Sequence, residues 1–160
     1  MARIAELSKQ LGEVALSQGV LIATAESCTA GAIAAAITDT AGSSAWFDAG
    51  FVTYSVEAKQ TMLGVSALTL KQFGAVSQEC ASEMTAGALA HSLADVAVAV
   101  TGIAGPSGEE PGKPVGTVFI AWQRRGAVAL VKRLQFKGDR LSVRAQTVEE
   151  ALSGLITILS

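Results

Sequence analysis

The segment Asp95-Val96-Ala97-Val98-Ala99-Val100 constrains the fold more than any other. After Asp95 it has no polar residue, so it lacks the alternation of a half-exposed strand. It reads as a central strand with both faces covered, and the covering layers must be helices. Ile4, Leu7, Leu11, Val14 and Ala15 recur at helical spacing over 1–19, with Gly19 as the stop. A short apolar strand follows at 20–23, then an alanine-rich helix over 29–40, a loop at 42–44 and a second strand over 50–54. Ser55 caps a helix that ends at Gly64, and Ser66 caps a shorter one ending near Gly74. Ser77 caps a helix over 78–93, with Glu79 in its first turn. Residues 101–115 form one long loop dense in Gly and Pro. Strands over 116–123 and 127–136 meet at a turn near Arg124-Arg125-Gly126 and must be antiparallel. Asp139 caps a last helix that runs almost to the end. The order α-β-α-β-α-α-β-β-β-α predicts an α/β fold, a three-layer α/β/α sandwich with a mixed, mostly parallel central sheet.

A chain of 160 residues, half of them hydrophobic and 16% charged, predicts a single domain over 1–160 with a real core. The net charge of −2 leaves no basic excess for a nucleic-acid backbone. No apolar run approaches the roughly 20 residues that span a bilayer. Arg3, Glu6, Lys9 and Glu13 make the first segment an amphipathic helix, not a signal sequence. Two cysteines, Cys28 and Cys80, make no disulfide framework. The expectation is a cytoplasmic protein with neither nucleic-acid nor membrane partner. Late basic residues, among them Arg140 and Arg144, allow a local anion site.

Thr24-Ala25-Glu26-Ser27-Cys28-Thr29-Ala30-Gly31 lies where a buried strand hands over to a buried helix. Ligands of open α/β sheets bind at such strand ends, and free N–H groups at a helix start suit a developing oxyanion. Ser27 and Thr29 can equally be plain helix caps. Cys28 is a rival nucleophile, but a cysteine nucleophile normally needs a histidine base. The single histidine, His91, falls inside an alanine-rich helix, so structural roles are expected for both. With one histidine and no G-x-S-x-G elbow, a Ser-His-Asp triad is poorly served. Nor do one His and two scattered Cys make a metal-ligand set. A catalytic serine would therefore need a lysine base, neutral through desolvation. Lys59, one turn into the helix at Ser55, is the best candidate; it can equally be a surface lysine beside Glu57. Tyr54 can hydrogen-bond a catalytic neighbour or serve as a strand aromatic. Gly102 and Gly105, after Thr101, permit close backbone approach. Gly108 to Pro114 is not a P-loop: one residue is missing between the glycines and Pro114 stands where Ser or Thr belongs. Arg140 and Arg144, at i and i+4, share a helix face suited to a phosphate or left in solvent.

Seven segments in order resemble the CinA C-terminal family: TAESCTAG at 24–31, AGSSAWF at 41–47, GFVTYSVEAKQTMLGV at 50–65, GAVS at 74–77, TGIAGP at 101–106, KPVGT at 113–117 and GDRLSVR at 138–144. The resemblance covers nearly the whole chain. The family usually carries a second glycine where this chain has Ala30, a departure expected to touch helix packing more than chemistry. Stand-alone members of the family include nicotinamide-nucleotide amidases. The resemblance thus implies hydrolysis of a nucleotide carboxamide without metal or cofactor, with Ser27 as nucleophile, Lys59 as base and Tyr54 in support. It implies Thr29, Thr101, Gly102 and Gly105 at the substrate, Arg140 and less directly Arg144 at its phosphate, and a homodimer. The alternative is a module that binds a nucleotide without chemistry.

Overall fold

The computed structural model describes residues 2–160, so Met1 of the predicted first helix lies outside the described residues. The chain runs α1 (Ala2–Gln18), β1 (Ile22–Glu26), α2 (Ala32–Thr38), a 3-10 turn (Ser43–Ala45), β2 (Phe47–Val52), α3 (Val56–Leu63), α4 (Ala67–Phe73), α5 (Gln78–Ala90), β3 (Val96–Gly102), β4 (Thr117–Arg124), β5 (Leu130–Gln135) and α6 (Arg140–Leu159). The strands form one sheet in the order β2-β1-β3-β4-β5. β1 is parallel to β2 and β3, while β4 is antiparallel to β3 and β5. All strands but β4 therefore run the same way, which is the expected mixed and mostly parallel sheet.

β3 is the central strand its composition predicted. Val96, Val98 and Val100 point into a core with Leu7 and Leu11 of α1, Ile33 of α2 and Leu152 of α6. Ala97 and Ala99 point the other way, toward Leu63 of α3 and Met84 and Ala88 of α5. Each fully buried valine contributes about 1.5–3 kcal/mol. The alanines let α5 lie close to the sheet. Gly87 of α5 has the same purpose toward α3, because a Cβ there would fall on the Leu63 carbonyl. No helix among the described residues is long and apolar enough to cross a membrane.

Several boundaries differ from expectation, each for a physical reason. β1 continues to Glu26 instead of ending at Ala23, because Thr24 and Glu26 are buried polar residues within the strand. α2 begins at Ala32, not Thr29, since Ala30 (φ 48) and Gly31 (φ 97) are left-handed and cannot lie in a right-handed helix. β2 starts at Phe47, paired with Ile22, and stops at Val52, which leaves Tyr54 beyond the strand. β3 extends through Gly102, so Thr101 and Gly102 belong to a strand end and not to the long loop. His91 is not deep in α5; it is the exposed residue that ends it, with Nδ1 2.8 Å from the Gly87 carbonyl.

From β1 the chain moves to β2 on one side, and β3 lies on the other. The segments leaving the carboxyl ends of β1 and β3 therefore part, and a crevice opens between them.

Candidate active site

That crevice is a cleft of about 200 Å³ whose lining includes Ser27, Tyr54, Lys59, Thr101, Gly102 and Arg140. Residues far apart in sequence are thus gathered at the carboxyl ends of β1 and β3.

Ser27 is the first residue after β1. Its N–H donates to the Val100 carbonyl at 3.1 Å, which ties it to β3. A turn over 27–30 is closed by the Ala30 N–H on the Ser27 carbonyl, also 3.1 Å. Neither Ser27 nor Thr29 caps α2. That role belongs to Glu26, whose carboxylate accepts from the N–H of Ile33 at 2.9 Å and of Ala34 at 3.0 Å. It also accepts the Thr29 hydroxyl at 2.6 Å, so the buried Thr29 side chain is turned away from substrate. The amides of Ile33 and Ala34, at the observed start of α2, are therefore occupied, while those of Thr29 and Gly31, at the expected start, have no partner among the described residues. Sequence reasoning gave Glu26 no part. Caps are sought next to a helix, and this one lies seven residues before Ile33. The available signal was a carboxylate inside an apolar strand, which must find donors.

Lys59 is held by α3. Ser55 caps that helix by accepting from the Ala58 N–H at 3.0 Å, and the turn so fixed carries Lys59 inward until 1% of it is exposed. It is not the solvated partner of Glu57. Its Nζ lies 3.0 Å from Ser27 Oγ, 2.8 Å from the Thr53 carbonyl and 2.9 Å from the Tyr54 carbonyl. No carboxylate pairs with it among the described residues. Burial pushes its pKa below the ordinary lysine value of 10.5. Cys80 and Cys28 would act the other way only as thiolates, and burial raises both thiols to about 11. Cys28 is accordingly a protonated, inert thiol, in keeping with the structural role expected of it. A neutral amine at Lys59 has two N–H bonds and one lone pair. As an ammonium Lys59 donates to Ser27 Oγ, which itself lies 3.5 Å from the Tyr54 carbonyl; in the neutral form two carbonyls take the N–H bonds and the lone pair is left for the Ser27 hydroxyl.

Tyr54 reaches Lys59 through its carbonyl and not its ring. The side chain is 59% exposed, with its hydroxyl 3.3 Å from Arg140 Nη2. Thr101 donates to the Ala75 carbonyl at 2.8 Å and so fastens the 74–77 segment beside the end of β3. Gly102 is packed against β4, where a Cβ would stand 2.7 Å from Val118 Cγ2. Gly105 has φ 87, has no room for a Cβ beside Val115, and accepts Arg140 Nη1 at 2.8 Å. The two arginines part company. Arg140 faces the cleft, whereas Arg144 lies behind the nucleophile turn in a groove with Ile4, Ala32 and Leu141. There its Nε donates to the Cys28 carbonyl at 3.0 Å and its Nη2 to the Thr29 carbonyl at 3.1 Å. The two arginines thus do not share one open face as expected.

The sequence matches the family described as the CinA C-terminal domain over residues 4–159. The chain belongs to that family. It is 53% identical over 144 residues to the nicotinamide-nucleotide amidohydrolase PncC of Enterobacter agglomerans, covering 90% of this chain and 88% of the relative. It is 51% identical over 158 residues to the protein of the same name from Pseudomonas putida, covering 99% and 98%. The crystal structure of the competence/damage inducible protein CihA from Agrobacterium tumefaciens superposes with a TM-score of 0.96 at 46% identity, over 99% of this chain and 96% of that one. Among CinA C-terminal domains, then, this chain is similar along nearly its full length to relatives of about its own size.

Proposed function

We propose that this CinA domain hydrolyses the carboxamide of nicotinamide mononucleotide, giving nicotinate mononucleotide and ammonia through a Ser–Lys acyl-enzyme. The observation that carries the reading is the 3.0 Å contact between Ser27 Oγ and a buried Lys59 Nζ whose other two partners are carbonyls. The names and high identity of the relatives supply the substrate.

Neutral Lys59 takes the Ser27 proton as Oγ bonds to the carboxamide carbon, and the C=O pair moves onto oxygen. Collapse of the tetrahedral species breaks the C–N bond. The proton held by Lys59 goes to the leaving nitrogen, which departs as ammonia. Lys59, neutral again, takes a proton from water as the water attacks the ester. The second collapse returns that proton to Ser27 Oγ and frees the carboxylic acid, which ionises. Thr101 and Gly102 form part of the wall against which the pyridine ring rests. Arg140, the cation on the open side, meets the phosphate.

The test is ammonia release from nicotinamide mononucleotide by the purified chain with a chelator present. Turnover in wild type, lost in Ser27→Ala with the thermal midpoint retained, is expected. Binding of the nucleotide without turnover would leave a binding module in place of an enzyme.

A further inference from the structure

The backbone of the nucleophile turn is tied to β3 and to α6. Ser27 spends its own N–H on Val100, and its carbonyl accepts from Ala30. The Cys28 and Thr29 carbonyls both accept from Arg144. The amides of Ile33 and Ala34 are spent on Glu26. Three N–H groups of this stretch, those of Cys28, Thr29 and Gly31, have no partner among the described residues, and the first two lie next to Ser27. In a trans peptide the N–H points opposite to the C=O of the same plane. The Thr29 N–H therefore points away from Arg144 and its groove. A serine hydroxyl can reach the N–H two residues on. The Thr29 N–H is two residues from Ser27, and Ser27 and Cys28 both line the cleft.

We propose that Arg144 is a positioning residue for the oxyanion site, acting through the Cys28–Thr29 peptide. The N–H groups of Cys28 and Thr29 receive the oxygen of the tetrahedral species. Arg144 fixes their planes from behind, and its charge on the Cys28 carbonyl polarises the Thr29 N–H. The inference rests on the reading of Ser27 as an acylated nucleophile. It removes Arg144 from the phosphate, and it gives α6 two duties one turn apart, substrate capture by Arg140 and transition-state geometry by Arg144.

The experiment measures kcat and KM for ammonia release by wild type, Arg144→Met and Arg144→Lys. Substrates are nicotinamide mononucleotide and nicotinamide riboside, which lacks the phosphate. Arg144→Met is expected to lower kcat on the order of 10- to 100-fold, the range for a misplaced catalytic geometry. KM should stay within about threefold, the sign of an interaction made in the transition state. Loss should be equal for the two substrates. Arg144→Lys keeps the charge but cannot span two carbonyls, so it should fall between; it also carries the test if the methionine variant does not fold. A raised KM for the mononucleotide alone, with kcat intact, would return Arg144 to the phosphate and overturn the inference. So would unchanged kinetics in the lysine variant. A wild type that releases no ammonia from either substrate would instead remove the acyl-enzyme reading itself, and this inference with it.

Discussion

The two walls of the cleft meet very different amounts of water. On the reacting wall Ser27 is 8% exposed, and Lys59 and Thr101 are 1% exposed. Each is fixed by partners inside the chain: the Val100 carbonyl on Ser27, two carbonyls on Lys59, the Ala75 carbonyl on Thr101. On the opposite wall Tyr54 and Arg140 are exposed and hold each other by a 3.3 Å contact. The difference matches the roles proposed for each wall. A lysine serves as a base only where water does not stabilise its charge, and a nucleophile needs a fixed direction. A cation that captures a phosphate from solution has to be reachable and keeps its charge either way.

The largest expected effects fall on the dry wall. Ser27→Ala should cut turnover on the order of 10³-fold or more, because removal of one member of a catalytic unit costs nearly the whole. Lys59→Arg should cost about as much, since guanidinium stays protonated and cannot accept the serine proton. The same contrast predicts the pH profile. Burial lowers the Lys59 pKa, so the neutral base persists below 10.5. As pH falls through that lowered value the amine is protonated and kcat/KM declines; as pH rises it recovers to a plateau. A pH–rate profile without an acid limb would break the link between burial and reactivity.

The wet wall should respond in binding. Arg140→Met is expected to raise KM for nicotinamide mononucleotide about tenfold or more, the loss of one charge-assisted contact. For nicotinamide riboside KM should barely move. If Arg140→Met lowered kcat equally for both substrates, the division of labour between the walls would fail.

Between these lies Glu26, buried on the dry side but facing α2 and not the substrate. Its two oxygens accept from three donors. In Glu26→Gln one oxygen becomes an NH2 group that meets a donor. A loss of about 1–3 kcal/mol of stability is expected, the cost of a buried donor left unpaired. Thermal or urea unfolding measures it, and an unchanged midpoint would show that α2 needs no cap from β1.

What the sequence disclosed divides along the range of each interaction. The central strand at 95–100 was legible because its composition alone forbids a wet face. The caps Ser55, Ser66, Ser77 and Asp139 were legible because each reaches an amide three residues on, in the same local segment. Lys59 could be suspected but not settled, since its carbonyl partners and Ser27 lie on other elements. Arg144 looked like a twin of Arg140 because helical spacing gives a shared face but not what stands opposite it. Glu26 showed that it needed donors but not which ones: its helix begins only after a left-handed turn that no periodicity announces.

That turn also gives the smallest prediction. Ala30 has φ 48, a left-handed backbone that costs an L-residue roughly 1–2 kcal/mol. The sequence comparison pointed to a glycine at this place and suggested helix packing as the reason. The backbone angle gives a different one. Ala30 is exposed and lies before α2 begins, so the strain is conformational, not steric crowding within the helix. Glycine would remove the strain but add roughly 0.4–1 kcal/mol of unfolded-chain entropy. Ala30→Gly should therefore stabilise the fold by a few tenths to about 1 kcal/mol, a rise of about 1–3 °C in a domain of this size. A fall in the midpoint would mean that the turn holds Ala30 without strain. The rigidity of the dry wall would then come at no cost at this position.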